Sequence, residues 1–119
     1  YAVSPHQGSD TAVAKKLGLE ATIPLLPLAA DPASPVPHFP LAVRSGSLVA
    51  MSLRPSADRK AWILRLLNAS ENPAPLLLAG EACDQGRVFL SDLSESEGRR
   101  VSGPPDVPAL GILTLRIDK

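Results

Sequence analysis

A strand-like run that is apolar on both sides limits the folds open to this chain more than anything else in it. In AWILRLLN, residues 61–68, Trp62, Leu64 and Leu66 share one face by the period of two. Ala61, Ile63 and Leu67 share the other, with Arg65 among them. An antiparallel strand with one wet side alternates apolar and polar residues, so this run needs cover on both faces. The consecutive Leu76, Leu77 and Leu78 in APLLLAG, residues 74–80, set the same requirement. By contrast GILTLRI, residues 111–117, alternates cleanly. Leu113, Leu115 and Ile117 point one way and Thr114, Arg116 and Asp118 the other, which predicts a wet outer face.

Two further runs, SGSLVAMSLRPS at 45–56 and RVFLSDL at 87–93, carry the same strand signature, and the breakers ENP and DQG separate neighbours. Five strands with small turns predict a mainly β fold, an antiparallel β-sandwich. Before them SDTAVAKKLG, residues 9–18, predicts one short N-terminal helix. Ser9 or Asp10 caps it, Val13 and Leu17 stack at i and i+4, and Gly18 stops it. Pro24, Pro27, Pro32, Pro35, Pro37 and Pro40 then follow, each lacking an amide donor, and exclude a central strand there.

The 119 residues suit one domain, able to bury about two thirds of its unfolded surface. Hydrophobic residues make up 45% of the chain but aromatics only 3%, so the core is aliphatic and offers few stacking platforms. Twelve basic residues balance twelve acidic ones, which argues against a nucleic-acid partner. No apolar run approaches the roughly 20 residues of a membrane-spanning helix. The lone Cys83 forms no internal disulfide and excludes a zinc site made of thiolates. These features predict a soluble, cytoplasmic protein, and a start at Tyr1 without a visible export signal predicts a piece of a longer chain.

Residues with catalytic chemistry are present but badly spaced for it. His6 and His38 with Asp10 or Asp31 include no helical pair and no third ligand at a convincing interval, so no metal site is predicted. Ser4, His6 and Asp10 lie within one turn, too close in sequence for the hand-off of a hydrolytic triad. Asp92, Glu95 and Glu97 sit in a Ser-rich connection that predicts a hydrated polar loop, with no reason to hold a proton at neutral pH. Asn68-Ala69-Ser70 meets the glycosylation triplet but reads as a turn, and Cys83 as a small buried or loop thiol. No catalytic residue is assigned. The one structural, interdomain candidate is Arg65, whose guanidinium amid Ile63 and Leu67 needs a carboxylate or carbonyl partner if covered and otherwise snorkels to water.

Taken in order, YAVSPHQG at 1–8, SGSLVAMSLRPSADRKAWILRLLNASENPA at 45–74 with its closing Arg-Leu-x-Asn, SDLSE at 91–95 and GILTLRI at 111–117 resemble the C-terminal part of glycoside hydrolase family 38, the zinc-dependent α-mannosidases. Leu67 stands where that family often carries an aromatic residue. The resemblance implies a strand end, short helix and proline-rich link over residues 1–40 and sandwich strands over 41–119. It further implies that the chain is an accessory module of a retaining glycosidase. The zinc, the nucleophile and the acid/base carboxyl would then belong to a catalytic domain outside this chain, which is its expected partner, with an α-mannoside as the substrate of the whole. A homo-oligomer stays open. The rival expectation is a stand-alone immunoglobulin-like interaction or carbohydrate-binding module.

Overall fold

The computed structural model describes residues 3, 5, 8, 10–23 and 39–119. Along them run α1 (Thr11–Thr22), β1 (Ala42–Val43), β2 (Leu48–Pro55), β3 (Ala61–Asn68), β4 (Ala74–Pro75), β5 (Leu78–Ala79), α2 (Glu81–Asp84), β6 (Val88–Ser91), β7 (Asp106–Val107) and β8 (Ile112–Asp118). The architecture is mainly β and antiparallel. Its main layer is a four-stranded sheet in the order β2-β3-β8-β6, and two short ribbons, β1-β5 and β4-β7, supply further pairs.

The sheet's first face builds the core. Trp62, Leu64 and Leu66 of β3 meet Ile117, Leu115 and Leu113 of β8 in register, and Val88 and Leu90 extend the layer on β6. Leu41, Ala74, Leu76, Ala82 and Val107, from the ribbons, their flanks and α2, pack against them in the same cluster. Leu66, Leu115 and Ile117 are fully buried. Each such side chain contributes about 1.5–3 kcal/mol of transfer free energy, which makes this contact the main stabilising layer. Phe39 stands edge-on to Trp62 with ring centroids 6.3 Å apart, and the Lys119 ammonium lies 5.0 Å from the centre of the indole.

The run at 74–80 is not one strand. Pro75 has no amide to continue a ladder. Instead, the Ser45 hydroxyl donates to the Pro75 carbonyl and accepts from Leu77 N–H (2.9 Å), while Leu76 N–H bonds the Pro105 carbonyl (2.9 Å). The chain thereby steps from one ribbon to the other. Leu76 is buried and Leu77 is 44% exposed, so three consecutive leucines do not demand cover on both sides.

The helix also differs from expectation. Asp10 caps it, its Oδ1 accepting from Ala12 N–H (2.8 Å) and Val13 N–H (3.2 Å). It passes through Gly18, whose cost of about 1 kcal/mol relative to alanine does not stop it, and ends at Thr22. Ile23 is extended, as suits a residue before proline. The face turned inward is Ala12 and Leu19, packed on Val49 and Ala69, whereas Val13 is exposed. Thr11 Oγ1 donates to the Ala69 carbonyl at 2.5 Å and Lys16 Nζ to the Gly46 carbonyl at 3.1 Å, fixing α1 beside the sheet. The proline-rich segment 24–38 lies outside the described residues.

Among the described residues no helix is long and apolar enough to cross a membrane.

Candidate functional site

The sheet's second face answers the question posed by AWILRLLN, and it does so differently along its length. By register it carries three rows across the strands. Val49, Leu67 and Ile112 form one; Ser52, Arg65, Thr114 and Ser91 the middle one; Arg54, Ile63, Arg116 and Phe89 the third. A bulge between Ala50 and Ser52 shifts β2 by one residue, and without it Arg54 would face the core. Helix α1 covers the Val49 end. The loop of residues 92–98 covers the third row.

That loop returns over the sheet on ionic bonds. Glu95, in the left-handed region at φ 62°, pairs with Arg54, and its Oε2 accepts from Ala57 N–H at 2.7 Å. Its carbonyl accepts from Arg116 Nη1 at 2.9 Å. Arg116 Nη2 bonds Asp58 Oδ2 at 3.0 Å and Nε bonds Asp118 Oδ1 at 2.9 Å, so all three guanidinium nitrogens are engaged. The outer face of β8 is therefore not wet at Thr114 and Arg116, which are 8% and 7% exposed. The alternation of β8 does mark two faces, but a polar residue there is covered by a loop distant in sequence. Glu95 likewise belongs to a docked loop.

The electrostatics follow from the contacts. Asp58 is held well below the usual carboxylate range by the Ser56 hydroxyl (2.5 Å), the Lys60 N–H (3.0 Å) and Arg116. The Ala57 N–H, then Arg54, lowers Glu95. Asp92 is lowered by the Ser94 hydroxyl and N–H at 2.6 and 2.8 Å. Burial works against the charge on Arg116, but hydrogen bonds and attraction from Asp58 and Asp118 outweigh it and raise its pKa. All of these groups are thus charged at neutral pH, and none of these carboxylates is placed to act as a glycosidase proton donor.

Arg65 sits in the middle row between these two covers. It is half-buried and flanked across the strands by Ser52 and Thr114. Among the described residues its guanidinium has no hydrogen bond and no ion pair. The neighbouring row ends in Ile112, 60% exposed.

The remaining sequence candidates fall elsewhere. Ser4, His6, Asp31 and His38 lie outside the described residues, and Asp10 is occupied by its helix cap. Among the described residues no three His, Cys, Asp or Glu side chains gather closely enough to hold a metal ion. Asn68, read as part of a turn, is fully buried. Its Nδ2 donates to the carbonyls of Asn72 (2.8 Å), Pro108 (3.0 Å) and Val107 (3.1 Å), and its Oδ1 accepts from Ser70 N–H (3.0 Å). Cys83 is half-buried in α2, and burial with the nearby Asp84 pushes its thiol pKa up, which makes it a poor nucleophile. An open cleft of about 510 Å³ lies by the start of α1, lined by Asp10, Thr11, Ser47, Ser70 and Glu71 among others, and it lacks the apolar and aromatic lining usual in ligand pockets.

Comparison of the chain with family models, with curated proteins and with solved structures found no match.

Proposed function

We propose that this chain is an accessory β-sandwich of a zinc-dependent retaining α-mannosidase of the family 38 type, cytoplasmic, which packs against a separate catalytic domain and supports it in hydrolysing α-mannosides. The observation that carries the docking role is the middle row of the second face. Arg65, its stem half-buried on an inner strand and its guanidinium without a counter-charge among the described residues, lies beside the exposed Ile112 and so offers a partner a charge next to an apolar contact. The order of segments resembling family 38 supplies the identity of the parent. Within this reading the module contributes no catalytic group, and the parent's zinc would be held by its catalytic domain.

Determining the full coding sequence around this segment tests the parentage. The expected result is an adjoining α/β domain rich in His and Asp; a gene encoding no such domain overturns it. Turnover of an aryl α-mannoside by this chain with zinc would overturn the assignment of the chemistry to another domain.

A further inference from the structure

Three arginines of the sheet's own strands project from its second face, and two are neutralised within the chain. Arg54 pairs with Glu95, and Arg116 pairs with Asp58 and Asp118. Among the described residues Arg65, on the inner strand β3, has neither a carboxylate nor a hydrogen-bond partner; Arg100, bridged to Phe89 at the far edge and 5.8 Å from its ring centre, is likewise without a carboxylate. Directly opposite stands Thr114, whose hydroxyl has no hydrogen-bond partner among the described residues and is not sealed from solvent. On the other side of Arg65, the exposed Ser52 hydroxyl is also unpartnered among the described residues. Cβ atoms facing each other across neighbouring strands are about 4.5–5.5 Å apart, so the guanidinium lies within reach of a hydroxyl on either side.

The charge pattern selects the ligand. A single uncompensated positive charge matches a single negative one. The adjacent row, about 7 Å along the strands, balances Glu95, Asp58 and Asp118 against Arg54, Arg116 and Arg100, so it adds no second positive charge for a dianion such as a phosphomonoester. On the opposite side lie Leu67, half-buried, and the exposed Ile112. We infer that Ser52, Arg65 and Thr114 form a carboxylate-binding notch that takes an acidic side chain of a partner polypeptide, with an apolar neighbour of that side chain resting on Leu67 and Ile112. The carboxylate accepts two parallel N–H bonds from Arg65 and further bonds from the two hydroxyls. This inference rests on the docking face proposed above and specifies its chemistry. It is independent of the parent's identity.

Hexanoate, a carboxylate with a short apolar tail, is the probe, with hexanol and hexyl phosphate as comparisons. Amide resonances of the ¹⁵N-labelled chain and the Arg65 side-chain Nε–H report binding. Hexanoate is expected to shift Ser52, Arg65, Thr114 and Ile112 saturably in the millimolar range. Arg65→Gln should weaken that binding by about tenfold or more, and Thr114→Val by a few fold. Both variants are to be checked by unchanged Trp62 fluorescence. Hexanol and hexyl phosphate should each bind about tenfold more weakly than hexanoate. The notch is overturned if hexanoate gives no saturable shift, if binding survives Arg65→Gln, or if hexanol or hexyl phosphate binds as tightly. Because the readout is a small carboxylate on this chain, such a failure is distinct from a parent gene that lacks a catalytic domain.

Discussion

Replacing Asn68 with alanine should be among the most damaging polar substitutions available in this molecule. The side chain is fully buried at the end of β3 and ties three stretches together: its own turn through Ser70 and Asn72, and the chain around β7 through Val107 and Pro108. Asn68→Ala leaves the Ser70 N–H without its partner, at about 1–3 kcal/mol, and strips a buried bond of about 1 kcal/mol from the Val107 carbonyl, which still faces Ala74 across the β4–β7 pair. The Asn72 and Pro108 carbonyls lie nearer to water and add less. The expected total is about 3 kcal/mol. With an unfolding entropy of about 2.1 cal/mol/K per residue, that lowers the melting temperature of a chain of this size by about 12 °C. Urea denaturation followed by Trp62, the single tryptophan, is the assay, and for a slope near 1.5 kcal/mol/M the midpoint should fall by about 2 M. Asn68→Asp should be worse at pH 7 than Asn68→Ala, because it sets a carboxylate against three carbonyl oxygens, and should recover partly on acidification. A loss below about 1 kcal/mol for the alanine variant would refute the idea that this amide is a structural tie.

Three further outcomes are expected. Asp58, Asp92 and Glu95 all titrate lower folded than unfolded, so their stabilisation is complete above the unfolded values of about 3.9 and 4.3 and is lost as pH falls through the folded ones. The urea midpoint should therefore drop between pH 5 and pH 2, and Glu95→Gln should flatten that drop; an identical slope in the variant would contradict the loop's ionic docking. A Cβ on Gly98 would stand 2.4 Å from the Leu90 carbonyl oxygen, so Gly98→Ala should cost about 1–3 kcal/mol and speed amide exchange at Leu90 and Val101. Cys83 should react with a disulfide reagent more slowly than free cysteine at pH 8, its thiol being pushed up by burial; a rate equal to free cysteine would contradict the placement.

The long strands were legible because their hydrophobic period is written locally: β2, β3 and β6 fall inside the runs picked out from the sequence, and β8 passes the end of its run by one residue. Asp10 as a cap was legible for the same reason. The two-residue strands and the single turn of α2 carry no period, and Pro75 hides the break between β4 and β5. Arg116 was misplaced because strand alternation distinguishes two faces without saying which is wet. The loop that covers it comes from residues 92–98, where Asp92, Glu95 and Glu97 read as solvated charge. Arg65 was visible as an anomaly in an apolar row, and its neighbours Ser52 and Thr114 only through strand register.

The two margins of the sheet are unequal. Along β6, Leu90 accepts from Gly98 N–H and donates to Arg99, and Val101 N–H bonds Val88, so residues 98–101 occupy the outer hydrogen-bonding side. No described strand occupies that of β2. Among the described residues β2 is thus the long strand with no neighbour on its outer side, and two copies that joined there would meet β2 against β2 about a two-fold axis.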